Sequence, residues 1–346
     1  MSSYELSNTL VKHYAGSLAY GTNLPTSDVD IRGIFCASPQ EIRTPYFPVR
    51  EVSLPDEEDG KLYELSNFMK LYTDCNPNIV ETLWVDNSDI ITSSPMYDYL
   101  REYRSGLLSS KVAHTFSGYA ISQLKRIKGH NKWINNPQPV EAPKHEDFVK
   151  LVRNFTEAKI MGSHFNMDYL RGHSMVHYGG DIFGVFSGEG NTAITTQGDF
   201  NISCRQTSSG VEDHLPKYIV KYCAEEFKRA KEKHSQYWTW KNNRNEKRSA
   251  LEESFGYDTK HAMHLIRLLR MGEEILTGQG VIVKRPDAQE LLAIRSGEWE
   301  YEDLIKWADE KDKHIRGELY RNTSLRKKPD VKLAAKVLME CQDMCW

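Results

Sequence analysis

Gly16-Ser17-Leu18-Ala19-Tyr20-Gly21-Thr22, followed after a short spacer by Ser27-Asp28-Val29-Asp30-Ile31-Arg32-Gly33, is the stretch that decides how this chain is read. Residues 10–16 (Leu-Val-Lys-His-Tyr-Ala-Gly) suit a short strand, and Ser17 to Tyr20 a tight turn into a helix. Residues 28–36 alternate at period two, the pattern of a half-buried strand. A Gly-Ser turn at a helix start offers backbone N–H groups to an anion, and a glycine lets a phosphate come close to the chain. The Ser17 hydroxyl adds a donor. On a strand, Asp28 and Asp30 share one face. Two carboxylates about 4 Å apart repel by roughly 4 kcal/mol at an effective dielectric near 20, so a cation must offset them or one must hold a proton. Such hard oxygen donors suit Mg²⁺ or Mn²⁺, ions that also bridge nucleotide phosphates. A third carboxylate on a neighbouring strand would complete a two-metal site. Arg32 shares the face of the acid pair, where it either touches a phosphate or neutralises the acids. An Asp-x-Asp on its own is a common feature of acidic edge strands; the preceding Gly-Ser turn is what makes this one specific.

Working outward, Pro48 to Gly60 is acidic and loop-like, Lys61 to Glu64 begins a third strand, and Leu65 to Thr73 has helical periodicity with Leu65, Phe68, Met69 and Tyr72 on one stripe. Beyond about residue 95 the pattern is mainly helical. Runs fall at Tyr97–Leu108, Lys111–Lys128, Glu146–Leu170, Lys217–Trp240, Arg244–Ser254, Thr259–Leu276, Ala288–Ser296, Tyr301–Leu319 and Val331–Cys341. Residues 129–145, with Gly129 and three prolines, read as a linker. Glycines punctuate β-prone segments over 176–206, which predicts a small antiparallel hairpin or meander. The expected fold is α+β: a catalytic head over 1–95, then a mainly helical domain over 96–346 with a β insertion around 176–206.

Bulk properties exclude several classes. The 346 residues carry a net charge of -3, with 39% hydrophobic and 27% charged residues, so any nucleic-acid surface must be a local basic patch. The N-terminus lacks the basic and apolar regions of a signal peptide, and no apolar run approaches the roughly 18 residues of a membrane span. Six scattered cysteines read as reduced thiols, which points to a cytosol. Cys341 and Cys345 share a helix face and could hold a metal, but no second ligand pair accompanies them.

Gly16-Ser17 followed by Asp28-Val29-Asp30 resembles the signature of the DNA-polymerase-β-like nucleotidyltransferases. The fuller string through Ile34-Phe35 is similar to one branch of them, the RNA-ligase-associated nucleotidyltransferases of bacteria and phages. The resemblance continues at Glu64-Leu65-Ser66-Asn67-Phe68-Met69-Lys70 and Asn76-Pro77-Asn78-Ile79-Val80-Glu81. It returns over Gly256 to Leu269, so that it covers about 10–85 and 238–308. It implies a polymerase-β-like head, Gly16 and Ser17 on the triphosphate, and Asp28 and Asp30 on the metals, Mg²⁺ or Mn²⁺. Glu64 sits where the branch places its third acid. Asp59 and Glu58 compete with it, and Glu64 could instead cap its helix.

Tyr257, Lys260, His261, His264 and Arg267 recur at helical spacing on one face, where the Lys, two His and Arg are an unusual density of nitrogen donors. One reading is a wall facing nucleotide or acceptor, with Lys260, His264 and Arg267 as ligands and the resemblance in its favour. The other is a solvated helix face with satisfied histidines. His261 and His264 alone hint at a transition metal, with no third ligand evident. Trp238, Trp240, Lys241, Arg244, Lys247 and Arg248 interleave aromatic and basic groups, as a nucleic-acid contact or a charged helix surface would. The resemblance implies transfer of an NMP from an NTP substrate to an acceptor hydroxyl with release of pyrophosphate. An RNA 3′ end (a tRNA or a damaged RNA) is the expected acceptor. Transfer to a small molecule or a protein side chain is the alternative, as is an inactive nucleotide- or RNA-binding module.

Overall fold

A computed structural model of the chain describes residues 8–46, 49–54, 59–155, 167–187, 192–202, 215–244 and 246–346. It divides into two compact units, 1–135 with 246–346, and 136–245.

The first unit is built on β1 (Thr9–Ala15), β2 (Asp30–Phe35), β3 (Glu51–Leu54), β4 (Asp59–Glu64) and β5 (Ile90–Ser93). They form one mixed sheet of order β3-β4-β2-β1-β5, in which β2 and β4 run parallel and the other neighbours antiparallel. Around it lie α1 (Gly16–Tyr20), α2 (Pro39–Arg43), α3 (Leu65–Thr73), α4 (Pro77–Val80), α5 (Pro95–Tyr103) and α6 (Val112–Asn135). The mixed sheet with its helices bears out the α+β class. Strand β3 is the addition within the acidic stretch read as a loop. Glu51-Val52-Ser53-Leu54 alternates polar and apolar, and with two exposed acidic-to-polar positions on an edge strand its composition masks its period.

The second unit is a four-stranded antiparallel sheet of order β6-β9-β8-β7, made of β6 (Val149–Asn154), β7 (His173–Gly179), β8 (Ile182–Ser187) and β9 (Tyr218–Tyr222), followed by α7 (Ala224–Asn242). Its own core gathers Leu151, Met175, Phe183, Val185, Phe200 and Val220. The hairpin expected near 176–206 is thus half of a larger sheet. Two of the expected helical runs are corrected: Glu146–Leu170 contains β6, with 156–166 outside the described residues, and the first residues of Lys217–Trp240 are β9. The physical reason is pairing between segments about 70 residues apart, Val149 with Tyr222 and Leu151 with Val220, which local periodicity does not register.

The chain returns to the first unit through α8 (Glu246–Phe255), α9 (Thr259–Leu276), α10 (Ala288–Arg295), α11 (Tyr301–His314), α12 (Tyr320–Asn322) and α13 (Val331–Cys345). Leu10, Val11 and Ile34 of the sheet share a single buried cluster with Phe68 and Tyr72 of α3, Phe116 and Leu124 of α6, and Leu265, Ile266 and Leu269 of α9. Each aliphatic side chain so buried contributes roughly 1.5–3 kcal/mol. The division drawn at residue 95 therefore does not separate compact units. Strands give out there, but burial continues through Leu100 and Phe116, and the first break falls after Asn135, where the prolines begin. Among the described residues no helix is long and apolar enough to cross a membrane, and Cys36, Cys75, Cys223, Cys341 and Cys345 are free thiols. Cys204 lies outside the described residues.

Candidate active site

The turn between β1 and α1 sits directly on Asp30. Ala15, the last residue of β1, pairs with Asp30, the first of β2. Gly16 then takes φ +58°, a left-handed backbone that favours glycine. A Cβ at Gly16 would overlap the Asp30 carboxylate. No side chain fits between the Gly-Ser turn and Asp30, so the sequence spacing between them is resolved as backbone lying against a carboxylate. Arg32 stands beside it, with Nη2 3.7 Å from Asp30 Oδ1 and Nη1 donating to the Ile31 carbonyl at 2.9 Å. Both side chains are partly open to solvent, 27% for Arg32 and 29% for Asp30. Ser17 is half-buried one residue into α1, and its carbonyl accepts from the Thr22 N–H at 2.9 Å.

Asp28 is exposed and precedes β2 rather than lying in it, so strand alternation does not by itself align it with Asp30. The parallel β2–β4 register pairs Asp30 with Asp59 and Phe35 with Glu64. Five strand residues, about 16 Å, therefore separate Glu64 from the level of Asp30. Glu64 is instead the N-cap of α3, accepting from Ser66 N–H at 2.7 Å and Asn67 N–H at 3.2 Å. It is 3% exposed, and burial pushes its carboxyl up against the pull of those bonds. The structure thus does not bring Glu64 to the acid pair; it brings the backbone of Asp59. Glu58 lies outside the described residues. Replacing Glu64 by Ala is expected to remove a cap worth about 0.5–2 kcal/mol, read as a lower urea midpoint, while leaving catalytic turnover near wild type. A variant as inactive as an Asp30 variant would return Glu64 to the site.

The nitrogen-rich face of α9 is also divided by the fold. Arg267 is 4% exposed, its Nη1 donates to Glu81 Oε1 at 2.6 Å, and its guanidinium lies 3.7 Å from the centre of the Tyr20 ring. The Tyr20 hydroxyl donates to Glu81 Oε2 at 2.6 Å. Burial, then Arg267, Glu81 and Asp30, shape the Tyr20 hydroxyl's acidity, with the net direction upward. Tyr20 thus stands within electrostatic reach of both Asp30 and the buried pair. Arg267, expected from the sequence as a nucleotide ligand, is buried and ion-paired with Glu81. The cause is that the stripe of α9 carrying Arg267 is its buried stripe, shared with Met263 and Ile266. His264 is pushed down to about 3 by burial and by the positive charges of Arg267 and Lys260, so it is neutral and offers an imidazole, not a cation. Lys260 is half-buried, one turn before His264 on α9. The two residues missed from the sequence are Tyr20 and Glu81. A lone acid within Ile79-Val80-Glu81-Thr82-Leu83 was the available signal, since a buried carboxylate requires a partner. Farther along, the basic and aromatic groups of α7 meet each other, with Lys241 Nζ 5.1 Å from the Trp238 ring centre. Arg244 stands 4.5 Å from that of Trp240; Lys247 and Arg248 have no described side chains.

The first strand thus ends in a Gly-Ser turn that lies on Asp30, the first residue of β2, which is the arrangement the motifs implied. Residues 4–137 match the model of a family described as the RNA repair pathway DNA polymerase beta family, so the resemblance read from the motifs is shown over that segment. An uncharacterized 38.9 kDa protein of the nrdC-mobD intergenic region of Enterobacteria phage T4 is similar to the chain, at 27% identity over 134 residues, 35% of this chain and 40% of the relative. The chain therefore spans about two fifths of the length of that curated relative. No solved structure matches. The family match ends before the motif at 256–269 and does not extend to it.

Proposed function

We propose that this chain is a metal-dependent nucleotidyltransferase that moves an NMP from an NTP to a hydroxyl at an RNA 3′ end. The acceptor hydroxyl gives its proton to water, its oxygen bonds to the α-phosphorus, the bond from that phosphorus to the α–β bridging oxygen breaks, and pyrophosphate leaves. The observation that carries this reading is the Gly16 backbone pressed against the Asp30 carboxylate, with Asp59 paired to Asp30 in the parallel register. The RNA acceptor is supported by the description of the family matched over 4–137.

The donor set fits Mg²⁺ or Mn²⁺: carboxylate oxygens only, at positions open to water in Asp28 and partly so in Asp30, which suits ions that keep several of their waters. Asp28, Asp30 and Asp59 would hold the metal, and Asp59 replaces Glu64 as the proposed third carboxylate. When bound, the ion supplies charge stabilisation to the phosphates and acidifies the attacking hydroxyl. The chain's own groups do the positioning. Gly16 admits the triphosphate to the backbone because it lacks a side chain, and the Ser17 hydroxyl donates to it. Arg32 offsets the charge of Asp30 and of the incoming α-phosphate. Lys260 reaches phosphate as a cation, and His264 meets the base or ribose as a neutral hydrogen-bonding group. The test is label transfer from each of four α-³²P-NTPs, with Mg²⁺ or Mn²⁺, into total cellular RNA. Label in a discrete RNA supports the reading and names the base. Label on protein or in a small soluble product moves the acceptor to another class, and no turnover of any NTP leaves a binding module.

A further inference from the structure

The α9 face holds a second constellation that the nucleotidyl-transfer reading does not use. Asp258 is the N-cap of α9, and its Oδ1 accepts the His261 N–H at 3.0 Å. This leaves Oδ2 facing two imidazoles, with His261 Nε2 at 3.5 Å and His130 Nδ1 at 3.8 Å. His130 comes from the last turns of α6, and its Nδ1 also stands 3.6 Å from Glu252 Oε1 on α8. The ligating atoms of His130, Glu252 and Asp258 all lie within 4.8 Å of one another. Glu252 and Asp258 are 4% and 3% exposed.

The geometry points to a binding site for a divalent first-row transition ion of the Zn²⁺ class, held by His130 Nδ1, Glu252 and Asp258, with His261 holding Asp258 from outside. Three considerations carry it. First, a tetrahedral ion with bonds of about 2.1 Å keeps its ligand atoms about 3.4 Å apart. The separations of His130 Nδ1 from Glu252 Oε1 and Asp258 Oδ2, 3.6 and 3.8 Å, are close to that and exceed the roughly 2.9 Å of an N–H···O hydrogen bond. Second, the donor set is one imidazole and two buried carboxylates, whose negative charge draws a dication. One nitrogen and two oxygen ligands suit Zn²⁺ or its neighbours better than thiolate-seeking ions, and leave a fourth position for water. Third, the ligands are held in place before any ion arrives. Asn131 Nδ2 donates to the Gly256 carbonyl at 2.9 Å, which ties α6 to the α8–α9 turn. The Trp133 ring stacks on His130 at 5.9 Å and 20°. Outer supports of this kind orient metal ligands. The sequence offered only His261 and His264 as a pair; the fold exchanges His264 for His130, 131 residues upstream of His261.

The site shares no residue with Asp28, Asp30 or Asp59, so its test needs no transfer activity. The full-length chain is stripped with chelator and titrated with Zn²⁺ against a chromophoric competitor. One equivalent is expected in wild type and in Asp30→Asn. His130→Ala and the near-isosteric Glu252→Gln are each expected to weaken binding at least about 100-fold. His261→Ala is expected to weaken it roughly 10- to 100-fold. Circular dichroism accompanies each variant; should His130→Ala fail to fold, Glu252→Gln and the wild-type titration decide. No stoichiometric Zn²⁺ in wild type, undiminished binding in Glu252→Gln, or loss of the equivalent in Asp30→Asn would each overturn the site.

Discussion

Asp30→Asn is expected to reduce nucleotidyl transfer by roughly a thousandfold or more while the protein remains folded. A metal ion contributes several kcal/mol of charge stabilisation in the transition state, and about 1.4 kcal/mol corresponds to a factor of ten. Asparagine keeps the shape of the side chain that lies against Gly16, so the turn stays packed. The lost charge was paired with Arg32 at 3.7 Å across a partly exposed surface, an interaction worth about 1 kcal/mol at most. Asp59→Asn is expected to behave alike if the parallel register has identified the third carboxylate. Steady-state transfer rates, with circular dichroism and urea midpoints alongside, separate loss of chemistry from loss of fold. A rate within tenfold of wild type in Asp30→Asn would contradict the metal assignment.

The largest stability effect is expected at Glu81. Its two oxygens accept from Arg267 and from the Tyr20 hydroxyl, both at 2.6 Å, and the Arg267–Glu81 pair is 5% and 9% exposed. Glu81→Ala removes the counter-charge and leaves a buried guanidinium over the Tyr20 ring. Breaking a buried pair from one side costs about 3–5 kcal/mol, a large share of the 5–15 kcal/mol that holds a typical domain together. Tyr20 ends the helix that carries Gly16 and Ser17, so transfer activity should fall with stability. Urea unfolding measures the loss, and a change below about 1 kcal/mol would show that the pair is not a mainstay of the core. Arg267→Ala provides the mirror test, since it strands the Glu81 carboxylate.

The strand that begins at Asp30, the Gly-Ser turn and the helices from Leu65 and Thr259 could be read from the chain because their signals are local. A glycine at a forced left-handed turn, an alternating strand and a capped amphipathic helix each declare themselves within about ten residues. What could not be read depends on partners far along the chain. Glu64 and Asp59 are both carboxylic acids on one strand, and only the pairing of β4 with β2 sets Asp59 level with Asp30. Arg267 lies on the same helical face as Lys260 in any wheel. Whether that face meets solvent or core was decided by Tyr20 and Glu81, more than 180 residues upstream. Strands β6 and β9 looked helical alone and became strands by pairing with each other. His130 belongs to a helix with no chemical motif, and only the packing of α6 beside the α8–α9 turn gives it ligands for company.

The measurement that bears most directly on the central claim is transfer of label from α-³²P-NTP to RNA by four proteins side by side: wild type, Asp30→Asn, Asp59→Asn and Glu64→Ala. Label is expected from wild type and Glu64→Ala, with none above background from the two Asn variants. Wild-type transfer by Asp30→Asn, or an active Asp59→Asn beside an inactive but folded Glu64→Ala, would contradict a site built on Gly16, Asp30 and the start of β4.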